Sequence, residues 1–119
     1  MMRTLILACV LWLAPACASA PNERPVASAH SLEQRGVALV QAYAIILDAA
    51  AQIVRDPATP VAVKEALVRA ERVATPAVEV LALALRAHAQ IRSDVSERRL
   101  VDAARHAEAS LQSFAAAIP

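Results

Sequence analysis

The sequence predicts an all-α protein, a three-helix up-down-up bundle with its middle helix kinked at Pro76. Three observations carry this. Alanine makes up about a quarter of the 119 residues and Gly36 is the only glycine, a composition that favours helix because alanine has the best helical propensity. From Val63 through Leu67, Ala70, Ala74, Ala77, Leu81, Ala84 and His88 to Ile91, apolar or small residues, with one histidine among them, recur at alternating steps of four and three, which is one face of a helix. Two short stretches of turn and capping residues, 55–60 and 93–97, divide the chain after residue 30 into three amphipathic segments.

The first twenty residues read as an export signal. Arg3 supplies the positive charge, residues 5–14 the apolar run, and Ala16, Cys17, Ala18, Ser19 and Ala20 the small-residue region. The run is shorter than the roughly 20 apolar residues that a membrane span requires. Two processing routes compete here. Ordinary cleavage fits after Ala18, giving a signal peptide over residues 1–18, because Pro21 obstructs a cut after Ala20. Leu13-Ala14-Pro15-Ala16-Cys17 resembles a lipobox, with Cys17 as the residue to be lipidated, although Ala14 stands where leucine is usual. Residues 19–30, rich in Ser, Pro and Ala, then form a disordered tether, and residues 31–119 the helical domain. Both cysteines, Cys9 and Cys17, fall in the export region, which excludes a disulfide framework.

Ser31 with Gln34 has the form of a capping box and opens a first helix over about residues 32–54. Its polar residues Gln34, Gln41, Asp48 and Arg55 are seven apart, with Gln52 beside them. So narrow a stripe predicts a helix buried over most of its circumference. The alternative is a membrane span over residues 36–54. Asp48 opposes it, since a central Asp costs about 2.5 to 3.5 kcal/mol on insertion scales.

Thr59 and Pro60 supply a cap and a first-turn proline for the middle helix, residues 60–92. Thr75-Pro76 repeats the pair and admits a fourth helix starting there. The unbroken register across Pro76 favours a kink within one helix. Beyond it, Glu79, Arg86 and Ser93, again seven apart, and Gln90 mark a wet edge on a segment otherwise apolar over more than half its surface. Such a segment needs two neighbours. Val80, Leu83 and Leu85, the excess of that apolar width, form a candidate interaction surface unless the third helix buries them. Asp94 and Glu97 stand in capping-box spacing before a third helix over about residues 95–117. Its apolar stripe is Leu100, Ala104, Ala107, Leu111, Phe114 and Ile118.

Chemistry-bearing patterns are sparse. Asp102, His106 and Ser110 recur at steps of four, but triads converge from separate segments beside oxyanion donors, and the sequence offers none. His30, His88 and His106 lack the i, i+3 or i, i+4 pairing that starts a metal site, so no metal or cofactor is expected. His88 on the apolar seam reads as a packed histidine that helps specify the bundle. Twelve Lys plus Arg against eleven Asp plus Glu imply no nucleic-acid partner. The runs 69–72 and 97–99 read as solvated faces with local ion pairs.

The export signal, the Ala/Ser/Pro tether, the helix carrying Gln41-Ala42-Tyr43-Ala44 and the run Val68-Arg69-Ala70-Glu71-Arg72-Val73-Ala74-Thr75-Pro76-Ala77 together resemble small exported helical proteins and lipoproteins of bacteria and their phages. That resemblance implies an envelope location, periplasmic or lipid-anchored at the outer membrane, and assigns no activity. The expectation is a non-enzymatic exported protein acting by binding or structural association, with a second copy or an envelope protein as partner and the membrane engaged only through a lipid anchor. A membrane-inserting accessory, such as a phage lysis protein using residues 36–54, is the alternative. Mass spectrometry of the mature N-terminus reads the processing route: an acylated Cys17 marks the lipoprotein, and a free Ser19 marks ordinary cleavage.

Overall fold

A computed structural model describes the backbone of residues 28–119 and the side chains of residues 31–119. The expected signal peptide, Cys17 and the tether up to residue 27 lie outside the described residues. Three helices follow one another, α1 (Ser28–Arg55), α2 (Val61–Gln90) and α3 (Asp94–Ala116), and each packs against the other two. The described residues contain no strand. This is the all-α three-helix bundle the sequence predicts.

The core lies between α2 and α3. On α2, Leu67, Ala74, Ala77, Val78, Leu81 and His88 are buried, which keeps the predicted face in register from end to end. Ile91 departs from it. That residue is the C-cap, with φ −136° and ψ 101°, so the chain has left the helix and its side chain is exposed. On α3 the buried set is Leu100, Ala103, Ala104, Ala107, Ser110, Leu111 and Phe114. Half of the buried apolar residues are alanines, and the largest side chains with no access to solvent are Phe114, Leu67, Leu81 and Leu100. Small residues at facing positions let helix axes approach closely. The four large side chains then supply most of the apolar burial, each contributing about 1.5 to 3 kcal/mol.

Pro76 lies inside α2, which runs unbroken from Val61 to Gln90, so the four-helix alternative does not apply. Proline has no amide hydrogen, so the carbonyl four residues earlier, on Arg72, loses its helical donor. Both Arg72 and Pro76 are exposed, and water can satisfy that carbonyl. Thr75 does not cap a new helix. Its Oγ1 shares a 2.7 Å hydrogen bond with the Tyr43 hydroxyl, joining α2 to α1.

The helix starts differ from expectation in each case. α1 begins at Ser28, so Ser31 sits within the helix. The N-cap of α2 is Pro60, with no side-chain cap. The preceding turn is instead held by Asp56, whose Oδ1 accepts from the amide of Ala58 at 2.8 Å. α3 is capped by Ser93 and Ser96 in a reciprocal box, where Asp94 and Glu97 were expected. One residue decides between those registers: Ser93 has extended backbone, φ −147° and ψ 163°, and Asp94 is already helical.

α1 is less buried than its narrow polar stripe implied. Gly36 and Ala50 are buried, Leu39, Val40, Tyr43, Ile46, Leu47 and Ile53 are half-buried, and Val37 and Ile45 are exposed, Ile45 to 72%. Two neighbours cover only one side of a helix, and among the described residues nothing lies over the other side. At Gly36 the Leu85 side chain of α2 lies against the α1 backbone: a Cβ there would stand 2.8 Å from Leu85 Cδ2. Residues 31–55 also form the single segment, among those described, long and apolar enough to cross a membrane, and few of its residues are buried.

Replacing Pro76 by Ala restores the donor to Arg72 at an exposed position. The expected result is a gain of about 1 to 2 kcal/mol in urea unfolding, the helix-interior penalty of proline less its entropic benefit in the unfolded chain.

Candidate functional site

Where α2 and α3 diverge at the surface, they leave an open groove of about 520 Å³. Val80, Leu83, Ala84 and Ala87 line it from α2, and Ser96, Arg99, Asp102, Ala103 and His106 from α3. Val80 and Leu83 are 54% and 61% exposed, so the third helix does not bury them. Leu85, grouped with them in the sequence reading, points elsewhere. It is half-buried and rests over Gly36 of α1, since two residues from Leu83 is more than half a helical turn.

The rim of the groove is polar. Arg99, Asp102 and His106 are exposed, whereas Ser110 is buried at 7%. Steps of four on a helix advance 40° beyond a full turn each time, so the third member of the Asp102, His106, Ser110 series rotates from the rim into the core. The three do not form a site.

A second cluster, which the sequence reading found only in part, closes the end of the bundle beside the α2–α3 turn. His88 is 4% exposed. Its Nδ1 lies 2.7 Å from Ser96 Oγ, and its Nε2 lies 3.6 Å from Glu33 Oε1 on α1. The same carboxylate oxygen is 3.0 Å from Arg92 Nη2. An acid, a histidine and a serine from three segments invite comparison with a hydrolytic triad. The hydroxyl is already committed, however. Ser96 Oγ lies within donating distance of the carbonyls of Ile91 (2.9 Å) and Ser93 (3.0 Å) and accepts from the amide of Ser93 at 3.0 Å. A hydroxyl has one proton and two lone pairs. A proton given to either carbonyl leaves the hydroxyl only lone pairs for His88, and the direction of that contact then depends on the ring's tautomer.

Glu33 Oε1 is buried with no hydrogen bond of good geometry and faces two cationic or potentially cationic groups, Arg92 and His88. The His88 contact is an ion pair only while the ring is protonated. The cluster therefore ties α1, the end of α2 and the start of α3 into one knot. Glu33 escaped the sequence reading because its partners lie 55 and 59 residues away, beyond any local pattern. A further cross-tie, Arg35 with Glu108, binds α1 to α3. No group of three metal-ligating side chains occurs among the described residues.

Fold and surface together define a small helical bundle with an exposed apolar groove and a polar knot at one end. Compared with protein-family models, with curated proteins and with solved structures, the chain matches none.

Ser96→Ala removes the reciprocal cap and the acceptor of His88. Urea unfolding is expected to show a loss of about 1 to 3 kcal/mol, from the cap and from the unsatisfied groups left behind.

Proposed function

We propose that this chain is an exported, non-enzymatic helical protein of the bacterial cell envelope that acts by binding or structural association. The observation that carries the reading is the pair Val80 and Leu83, both more than half exposed on a groove that α3 leaves open. Large apolar side chains exposed side by side cost solubility and are commonly retained where something docks on them. The competing hydrogen bonds of the Ser96 hydroxyl and the dispersal of Asp102, His106 and Ser110 support the non-enzymatic part of this reading. Export rests on the pattern of residues 1–20, and the resemblance to small exported helical proteins and lipoproteins supports the envelope location. Balanced charge argues against a nucleic-acid partner.

A second reading has its own observation: the apolar character and low burial of residues 31–55 suit a membrane-inserting accessory. Insertion of α1 would break the Tyr43–Thr75 hydrogen bond and the ion pairs of Glu33 and Arg35, and would carry Asp48 into the bilayer. These losses favour the packed helix. Carbonate extraction of membranes from cells exporting the Cys17→Ser form separates the two readings. Release into the soluble fraction is expected, and retention in the pellet would establish the span.

A further inference from the structure

α2 carries two seams. The first is the buried face already described. The second runs Val73, Pro76, Val80, Leu83, Ala87 and Gln90, at alternating steps of three and four, and all six are exposed. It lies about a third of a turn around the helix from the core seam, on the side of the groove. Its first five members are apolar, and apolar residues at this spacing are the contact pattern of a left-handed helix pair, in which each side chain enters a hole on the facing helix. Nothing on the described chain covers it: Val73 is 58% exposed, and Val80 and Leu83 only slightly differ from it.

A charged row accompanies the seam. Arg72, Glu79 and Arg86 are seven apart, alternate in sign, and flank the side away from α3. None of the three has an ion-pair partner among the described residues. On the seam's other flank stand Ala77 and Ala84, which offer no charge. If the seam met a parallel copy of itself, the charged row would face those alanines. In an antiparallel pair the row faces its own copy across a twofold axis, and the charges then select the register.

Of the heptad registers open to an antiparallel pair, those that set Arg72 against the partner's Arg72 or Arg86 against the partner's Arg86 bring like charges together, and three others remain. Setting Glu79 against the partner's Glu79 also sets Arg72 against the partner's Arg86, and both contacts repel. Setting Arg72 against the partner's Glu79 places Arg69 in the seam opposite the partner's Val80, which buries a charge. The third register sets Glu79 against the partner's Arg86 and Arg86 against the partner's Glu79. It also lays Val80 on the partner's Leu83, Leu83 on the partner's Val80, and Pro76 on the partner's Ala87. Only this register pairs every charge it brings together while matching apolar residue to apolar residue at its centre.

We propose that a second copy of this chain docks on α2, antiparallel and across a twofold axis, with Val80 and Leu83 at the centre of the interface and two Glu79–Arg86 ion pairs along its edge. Such an interface is self-complementary, as a twofold dimer requires, and the groove beside Ala84 and Ala103 supplies the space that the incoming Leu83 and Val80 occupy. The inference rests on the reading of this chain as an association module and names its partner.

Sedimentation velocity of the processed full chain, at concentrations up to about 100 μM, tests it, with circular dichroism confirming that each variant stays helical. The wild type is expected to dimerise, and Leu83→Asp to be monomeric. Glu79→Arg and Arg86→Glu, each alone, should weaken the dimer by about tenfold or more, because both edge pairs become repulsive. An equimolar mixture of these two variants should dimerise again, since one copy then presents arginine at both positions and the other glutamate. A monomeric wild type overturns the proposal, as does a dimer indifferent to the charge reversals or not restored on mixing. A monomer leaves association with a different envelope protein intact, which crosslinking in cells reads separately.

Discussion

Burial of an alanine-rich face on both α2 and α3 is the constraint on which the rest of this structure depends. Ala74 and Ala77 on one helix and Ala103, Ala104 and Ala107 on the other are buried, and between them Leu67, Leu81, Leu100 and Phe114 find room to be fully enclosed. A larger residue at any of these positions would hold the backbones apart and open voids around the few bulky side chains, a loss felt strongly in so small a core. α1 plays a different part. It adds half-buried apolar side chains along one edge of that pair and is fastened by polar links, Tyr43 to Thr75, Arg35 to Glu108 and Glu33 to Arg92.

Geometry explains why these links fall where they do. Leu85 of α2 packs over Gly36 of α1, and Glu33 and His88 of the polar knot stand three residues from that contact on their own helices. The knot joins three helix ends at once, including the turn whose capping serine also receives the histidine. An apolar seal at this end would permit neighbouring registers of α1 at little cost, whereas the Glu33 carboxylate meets both Arg92 and His88 in one register only. Specificity of this kind is a recognised use of buried polar groups, the energetic return being small.

A bundle of three helices has too little material to cover every apolar face that its helices carry, since small domains bury a smaller share of their surface. Exposed large apolar side chains occur along all three helices and at the C-cap of α2, and two groups of them share a helix face: Val73, Val80 and Leu83 on α2, and Val37 and Ile45 on the outer side of α1. The α2 face is regular, bordered by charges of alternating sign, and opens on a groove; the α1 face is interrupted by Gln41, Asp48 and Gln52, as a water-facing side requires. The two exposed faces are therefore chemically different, and only the first has the periodicity of a helix partner.

The sequence by itself determined the helical class, the number of helices and the buried face of α2 and α3, because those follow from periodicity, and periodicity is a local property. Leu67, Ala74, Leu81 and Phe114 were legible as core residues for that reason. Helix starts were less so: Ser93 and Asp94 both carry capping side chains, and a single residue's backbone angle chooses between them. Only the tertiary structure decided that Leu85 faces α1 while Val80 and Leu83 stay open, that Ser110 turns inward away from Asp102 and His106, and that Glu33 meets His88 and Arg92. Each of these depends on which neighbour occupies which side of a helix. That is set by the packing of all three helices together, and no window of sequence contains it.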